Sequence, residues 1–106
     1  MERIDKLKAF ILRDPADLFS RHALALELLK IDDNHGAIDA MEELLGIDER
    51  HIGTYLHLGK AYSQVEQFPK ALSVMKRGLA IAEAMQANHE ARELKAAIAF
   101  LEEEME

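Results

Sequence analysis

The sequence predicts an all-α protein of about six helices, and three observations carry that expectation. Ala, Leu and Glu dominate a 106-residue chain with only five glycines and two prolines; this composition favours helix, because alanine and straight side chains lose little rotamer freedom there. Aromatic residues make up only 6%, and β-branched residues never gather into the alternating run of a half-buried strand. Apolar residues recur instead at three- and four-residue spacing, over segments of helical length.

The first helix is expected over residues 2–13, where Ile4, Leu7, Phe10 and Ile11 share a face. Asp14 and Pro15 end it and start the second, Asp14 as a cap for free amides and Pro15 as a residue suited to a first helical position. That second helix carries Leu18, Phe19, Ala23, Leu24, Ala25, Leu28 and Leu29, and stops in Asp32-Asp33-Asn34. The third, about 34–45, buries Ala37, Met41, Leu44 and Leu45, with Gly46 as a left-handed terminator. Asp48 is expected to cap a fourth, about 49–65, holding Tyr55, Leu58, Gly59 and Tyr62. Pro69 opens a fifth with Ala71, Leu72, Met75, Leu79 and Ala82, and a sixth from about Asn88 aligns Leu94, Ala97, Ile98, Leu101 and Met105. Gln86-Ala87-Asn88 is a mild breaker, so one continuous helix from Pro69 to Glu103, which would invite dimerisation by domain swapping, stands as the alternative.

Sliding the chain against itself by 34 residues places Leu24 on Leu58, Ala25 on Gly59, Leu28 on Tyr62 and Ala37 on Ala71. The same shift places Met41 on Met75, Leu45 on Leu79 and Ile47 on Ile81. Two helices per 34-residue period resemble the tetratricopeptide repeat, whose pattern runs W-x2-L-G-x2-Y, then A-x3-F, then P. Tyr55-x2-Leu58-Gly59-x2-Tyr62 and Ala71-x3-Met75 follow it closely, with Gly78 as the next small residue and Glu83 in place of the proline. The earlier copy is degenerate: Arg21 replaces the aromatic, Leu28 the tyrosine, Leu44 the small residue and Glu49 the proline.

The resemblance implies antiparallel hairpins stacked into a short right-handed superhelix. It divides the single domain 1–106 into a half-repeat helix (2–13), a degenerate repeat (16–47), a second repeat (49–85) and a capping helix (88–104). Within it, Gly59, Ala25, Ala71 and Ala37 are expected to be small where paired helices cross. Tyr55, Tyr62, Leu28, Met75 and Met41 are expected to fill the spaces between successive repeats.

Charge and composition exclude several functional classes. A formal charge of −7, from 20 acids and 13 bases, repels nucleic-acid phosphates and anionic lipid. No apolar run approaches the ~20 residues of a membrane span, and no signal-peptide core is present; on these grounds a cytoplasmic protein is expected. The sequence has no cysteine, which removes disulfides, thiol nucleophiles and thiolate metal sites. His22, His35, His51, His57 and His89 never fall three or four apart, so no metal pair is expected. Asp32-Asp33 and Glu42-Glu43 read as solvated charge rather than acid–base machinery. Neither an enzyme nor a cofactor is expected.

What the resemblance adds is a concave face, lined by the first helix of each repeat, that holds a peptide or a partner helix. By register that face comprises Phe19, His22, Leu26, Leu29 and Lys30 from the degenerate repeat, and Leu56, His57, Lys60, Ser63 and Gln64 from the next. Glu90 and Leu94 join from the capping helix. The Lys, Asn and Arg clamp with which one subgroup grips a chaperone's terminal carboxylate is absent, its places holding His22, Leu26, His57, Ala87 and Ala91. The expected function is protein–protein recognition through this face. The alternative is a homodimer through the end helices, where Leu12 and Phe100 stand off the main apolar stripes.

Overall fold

A computed structural model describes residues 2–106, and the described residues form six α-helices and no strand. These are α1 (Glu2–Arg13), α2 (Leu18–Lys30), α3 (Asn34–Ile47), α4 (Ile52–Gln64), α5 (Phe68–Ala84) and α6 (Asn88–Glu104). They divide into two compact units, one ending at Glu49 and one spanning Arg50–Glu106. In the first, α2 packs against both α1 and α3; in the second, α5 packs against α4 and α6, and α4 also touches α6. The first core is built from Ile4, Ala25, Leu28, Ala37, Ile38, Met41 and Leu44, and the second from Tyr55, Leu58, Tyr62, Ala71, Met75, Ala82, Leu94, Ile98 and Leu101.

Three helix boundaries differ from expectation. Asp17, not Asp14, caps α2: its carboxylate accepts the Phe19 amide at 3.1 Å and the Ser20 hydroxyl at 2.7 Å. Pro15 therefore lies in the preceding turn, where its carbonyl accepts from Arg21 Nε at 2.7 Å. Asp48 ends α3 instead of starting α4, its amide donating to the Leu44 carbonyl at 2.9 Å. The first turn of α4 begins after His51, whose Nδ1 lies 2.8 Å from the buried Thr54 hydroxyl. Gly46 continues α3 with an ordinary negative φ, so it terminates nothing.

The left-handed positions are Asp32, Glu66 and Gln86, with φ of 59°, 60° and 58°. Each sits in the middle of a three-residue turn, and each turn is closed by the same two bonds. Asp33 N–H donates to Leu28 C=O and Asp32 N–H to Leu29 C=O; Gln67 and Glu66 repeat this on Tyr62 and Ser63, as do Ala87 and Gln86 on Ala82 and Glu83. This is the Schellman arrangement, which satisfies carbonyls that a helix end leaves without intrahelical partners. Because Gln86 turns the chain in this way, α5 and α6 are separate helices and the continuous alternative does not form.

The α4–α5 hairpin shows why its residues are small or large. A Cβ built on Gly78 would stand 2.5 Å from Cβ of Tyr55, and one on Gly59 would stand 2.6 Å from Cγ of Met75. Tyr55 and Met75 thus fill space inside the hairpin, each seated against a glycine on the opposite helix. The degenerate hairpin solves the same problem differently. Leu44 holds the place of Gly78, and Arg21, in the place of Tyr55, sends its guanidinium to Glu43 at 3.0 Å.

Candidate functional site

The site lies in the second unit, along α4 and α6. Burial repeats along α4 and α6 with an offset of 36: Tyr55 matches Ala91, Leu58 matches Leu94, and Tyr62 matches Ile98, all buried. Yet α4 has 13 residues and α6 has 17, so α6 runs on by about 6 Å at 1.5 Å per residue. Its last turn projects past the end of α4, and an open cleft of about 760 Å³ lies along the two helices.

Leu56, Lys60, Ser63 and Gln64 form the α4 wall of this cleft, and Glu93, Ala96, Ala97, Phe100, Leu101 and Glu104 form the α6 wall. From α5, Phe68 and Met75 complete the lining. Leu101 and Met75 are buried and make the floor, whereas Phe68 is 37% and Phe100 66% exposed. A second depression continues toward the N-terminal ends of α4 and α6, lined by Ile52, His57, His89, Glu90 and Leu94; Leu56, Lys60 and Glu93 border both. Together they make one groove along α4 and α6.

The electrostatics of the groove are mixed. His57 is half-buried, and that burial, reinforced by the nearby Lys60 charge, holds its pKa below the ordinary histidine range against an opposing pull from Glu93. Glu93 lies 3.3 Å from His89 across one turn of α6. On the outer side of α6, Lys95 reaches Glu83 at 3.6 Å and Glu102 reaches Lys76 at 3.4 Å, which fastens the helix to α5 and leaves its groove side available. Among the described residues no three His, Asp or Glu side chains are placed to hold a metal ion, and no helix is long and apolar enough to cross a membrane.

The residues expected from α4 all line the groove, as does Glu90. Leu94 borders the second depression as well, but at 1% exposure it does so from the core, because it lies on the stripe with Ala91, Ile98 and Leu101 that α6 buries. Phe100, expected at a self-association surface, is a groove residue. In the first unit, Phe19 is 78% exposed and His22, Leu26 and Leu29 are half-buried along α2. Lys30 there turns back to Glu27 at 3.4 Å, and Glu27 also takes Arg3 of α1 at 2.9 Å. Leu12 is 83% exposed on α1.

Sequence reasoning missed Phe68, Met75, Glu93, Ala96, Ala97, Leu101 and Glu104 as groove residues. A signal existed: Ala96, Phe100 and Glu104 follow each other at four-residue spacing, as do Glu93, Ala97 and Leu101, so they form adjoining rows on α6.

Helices paired by three-residue turns, with a repeated pattern of small and large residues, define a helical-repeat protein. No protein-family profile matches the chain, and no curated protein matches it. Among solved structures, a tetratricopeptide repeat domain protein from Salinibacter ruber is 36% identical, with a TM-score of 0.78 over 84% of this chain and 90% of that one. The chain belongs to the tetratricopeptide repeat family. The same fold appears at low identity in the TPR2B domain of yeast Sti1, solved as a complex with pHsp70 (18% identical, TM-score 0.87, covering 95% of this chain and 81% of that one). It appears again in PcrH, solved with the chaperone binding region of PopD (15% identical, TM-score 0.90, covering 97% and 78%).

Proposed function

We propose that this chain is a non-enzymatic protein–protein interaction module that holds a peptide or partner helix in the groove along α4 and α6. The observation that carries this reading is the pair Phe68 and Phe100, two aromatic side chains left open to solvent over an apolar floor of Met75 and Leu101. Exposed aromatics gathered in a concave site are the usual anchors of a protein interface. The complexes of the Sti1 domain and of PcrH support the same use of the fold.

The groove residues of α4, Leu56, His57, Lys60, Ser63 and Gln64, are assigned to partner contact, together with Glu90 and Phe100. On α2, Phe19, His22, Leu26 and Leu29 form the corresponding surface of the first unit, one 34-residue period earlier. The homodimer alternative has less support, since Phe100 belongs to the groove and Leu12 stands without it.

Affinity capture with the intact chain tests the reading. Leu56→Glu is expected to abolish capture of the partner, and Lys60→Glu to weaken it, while the far-ultraviolet helical signal is retained. Capture that survives Leu56→Glu refutes the groove assignment. Light scattering is expected to show a monomer at all concentrations, and a concentration-dependent dimer would favour the alternative.

A further inference from the structure

Resting on the groove reading, we infer that the occupant is an amphipathic helix in which an acidic and a basic residue stand seven or eight positions apart and bracket an apolar pair. The groove is bounded along α4 from Leu56 to Gln64 and along α6 from Glu93 to Glu104, about 12 and 17 Å at the helical rise. Two to three helical turns span that length and present side chains at i, i+3, i+4 and i+7.

Two charges of opposite sign lie on opposite walls, one turn in from Leu56 and at the far end of α6, while the third groove charge, Glu93, is turned to His89 at 3.3 Å. Lys60 is exposed on α4 and Glu104 on α6, and neither forms an ion pair with another described residue. In the 36-residue register Lys60 is level with Ala96, so Glu104 lies eight residues, or about 12 Å, farther along the groove. The C-terminal end of α6 adds its partial negative charge beside Glu104. A cation belongs at that end and an anion at the Lys60 end, with Phe68 and Phe100 taking the apolar pair.

Three fluorescein-labelled, alanine-rich helical peptides test this, each with Leu at i+3 and i+4. One carries Glu at i and Lys at i+7, one Glu at both positions, and one Lys at both. The mixed peptide is expected to bind about two- to fivefold tighter than either uniform one at physiological salt, the size of one solvent-exposed ion pair. That ranking opposes the chain's net charge of −7, which alone favours the double-Lys peptide. Lys60→Glu is expected to weaken the mixed peptide by a similar factor. Lys60→Glu combined with Glu104→Lys is expected to restore it, since the helix can dock in the reverse direction. Double-Lys binding as tight as the mixed peptide, no recovery in the double variant, or no binding of any peptide would each overturn the inference. The groove reading fails by a separate result, the persistence of partner capture in Leu56→Glu.

Discussion

Replacing Gly78 by alanine isolates the closest approach in the second unit. The added Cβ would stand 2.5 Å from Cβ and 2.6 Å from Cγ of Tyr55, more than 1 Å inside ordinary carbon contact. Tyr55 is fully buried and its Cβ moves only with its backbone, so α4 and α5 must separate. Overpacking of this kind costs about 1–3 kcal/mol, offset by the ~1 kcal/mol that alanine gains over glycine inside a helix. Gly46→Ala is the control, because nothing lies within 4 Å of its Cβ position; near a helix end it should stabilise by about 0.5 kcal/mol. Gly59→Ala falls between, since it meets the flexible Met75 thioether, with Cγ at 2.6 Å and Cε at 2.8 Å, which can turn aside. Urea denaturation should therefore rank the variants Gly46→Ala, Gly59→Ala, Gly78→Ala, with the first and last about 1–2 kcal/mol apart. A Gly78→Ala protein as stable as Gly46→Ala would refute the account of how the hairpin closes.

Two further outcomes follow from the turns and the groove. Glu66→Gly should stabilise by about 0.5–1 kcal/mol, because a left-handed conformation costs an L-residue about 1–2 kcal/mol and glycine returns only part of that through its freer unfolded chain; an unchanged or lower midpoint in thermal melts would contradict it. For His57, burial and Lys60 lower the folded-state pKa, so on acidification the unfolded chain takes up the proton first. Stability is expected to fall as the pH drops below the ordinary histidine value of about 6.5, and to level off below the depressed folded value. His57→Gln should remove that part of the slope between urea midpoints at pH 7 and pH 5.5, and an identical slope in both proteins would show that His57 is not held in its neutral form.

Much of the architecture was legible because burial along a helix has a period that the sequence must obey. Met41 and Met75, or Ala37 and Ala71, could be matched before any coordinate was known. Boundaries were less legible, since Asp14-Pro15 and Asp48 carry capping chemistry as good as that of Asp17. The turns were legible at Asp32-Asp33-Asn34 and weakly at Gln86-Ala87-Asn88, but their left-handed residues were not, since Asp32, Glu66 and Gln86 take positive φ without being glycine. In the groove, Leu56, Lys60, Ser63 and Gln64 followed from register on α4. Phe68 and Phe100 did not, because Phe68 comes from the start of α5 and Phe100 stands off the apolar stripe of α6, outside the register that places the α4 residues. Leu94, like Met75 and Leu101, belongs to the core and borders the groove from beneath.

Met75 serves two masters. Its thioether is wedged against Gly59 at the joint between α4 and α5, and the same side chain underlies the place where a guest would sit. Pressure from above is thereby transmitted to the fastening of the hairpin, and a snugly fitting cargo would brace that fastening as it binds. Thermal resistance should then rise with cargo concentration, and this side chain would be the mechanical link between holding on to something and holding itself together.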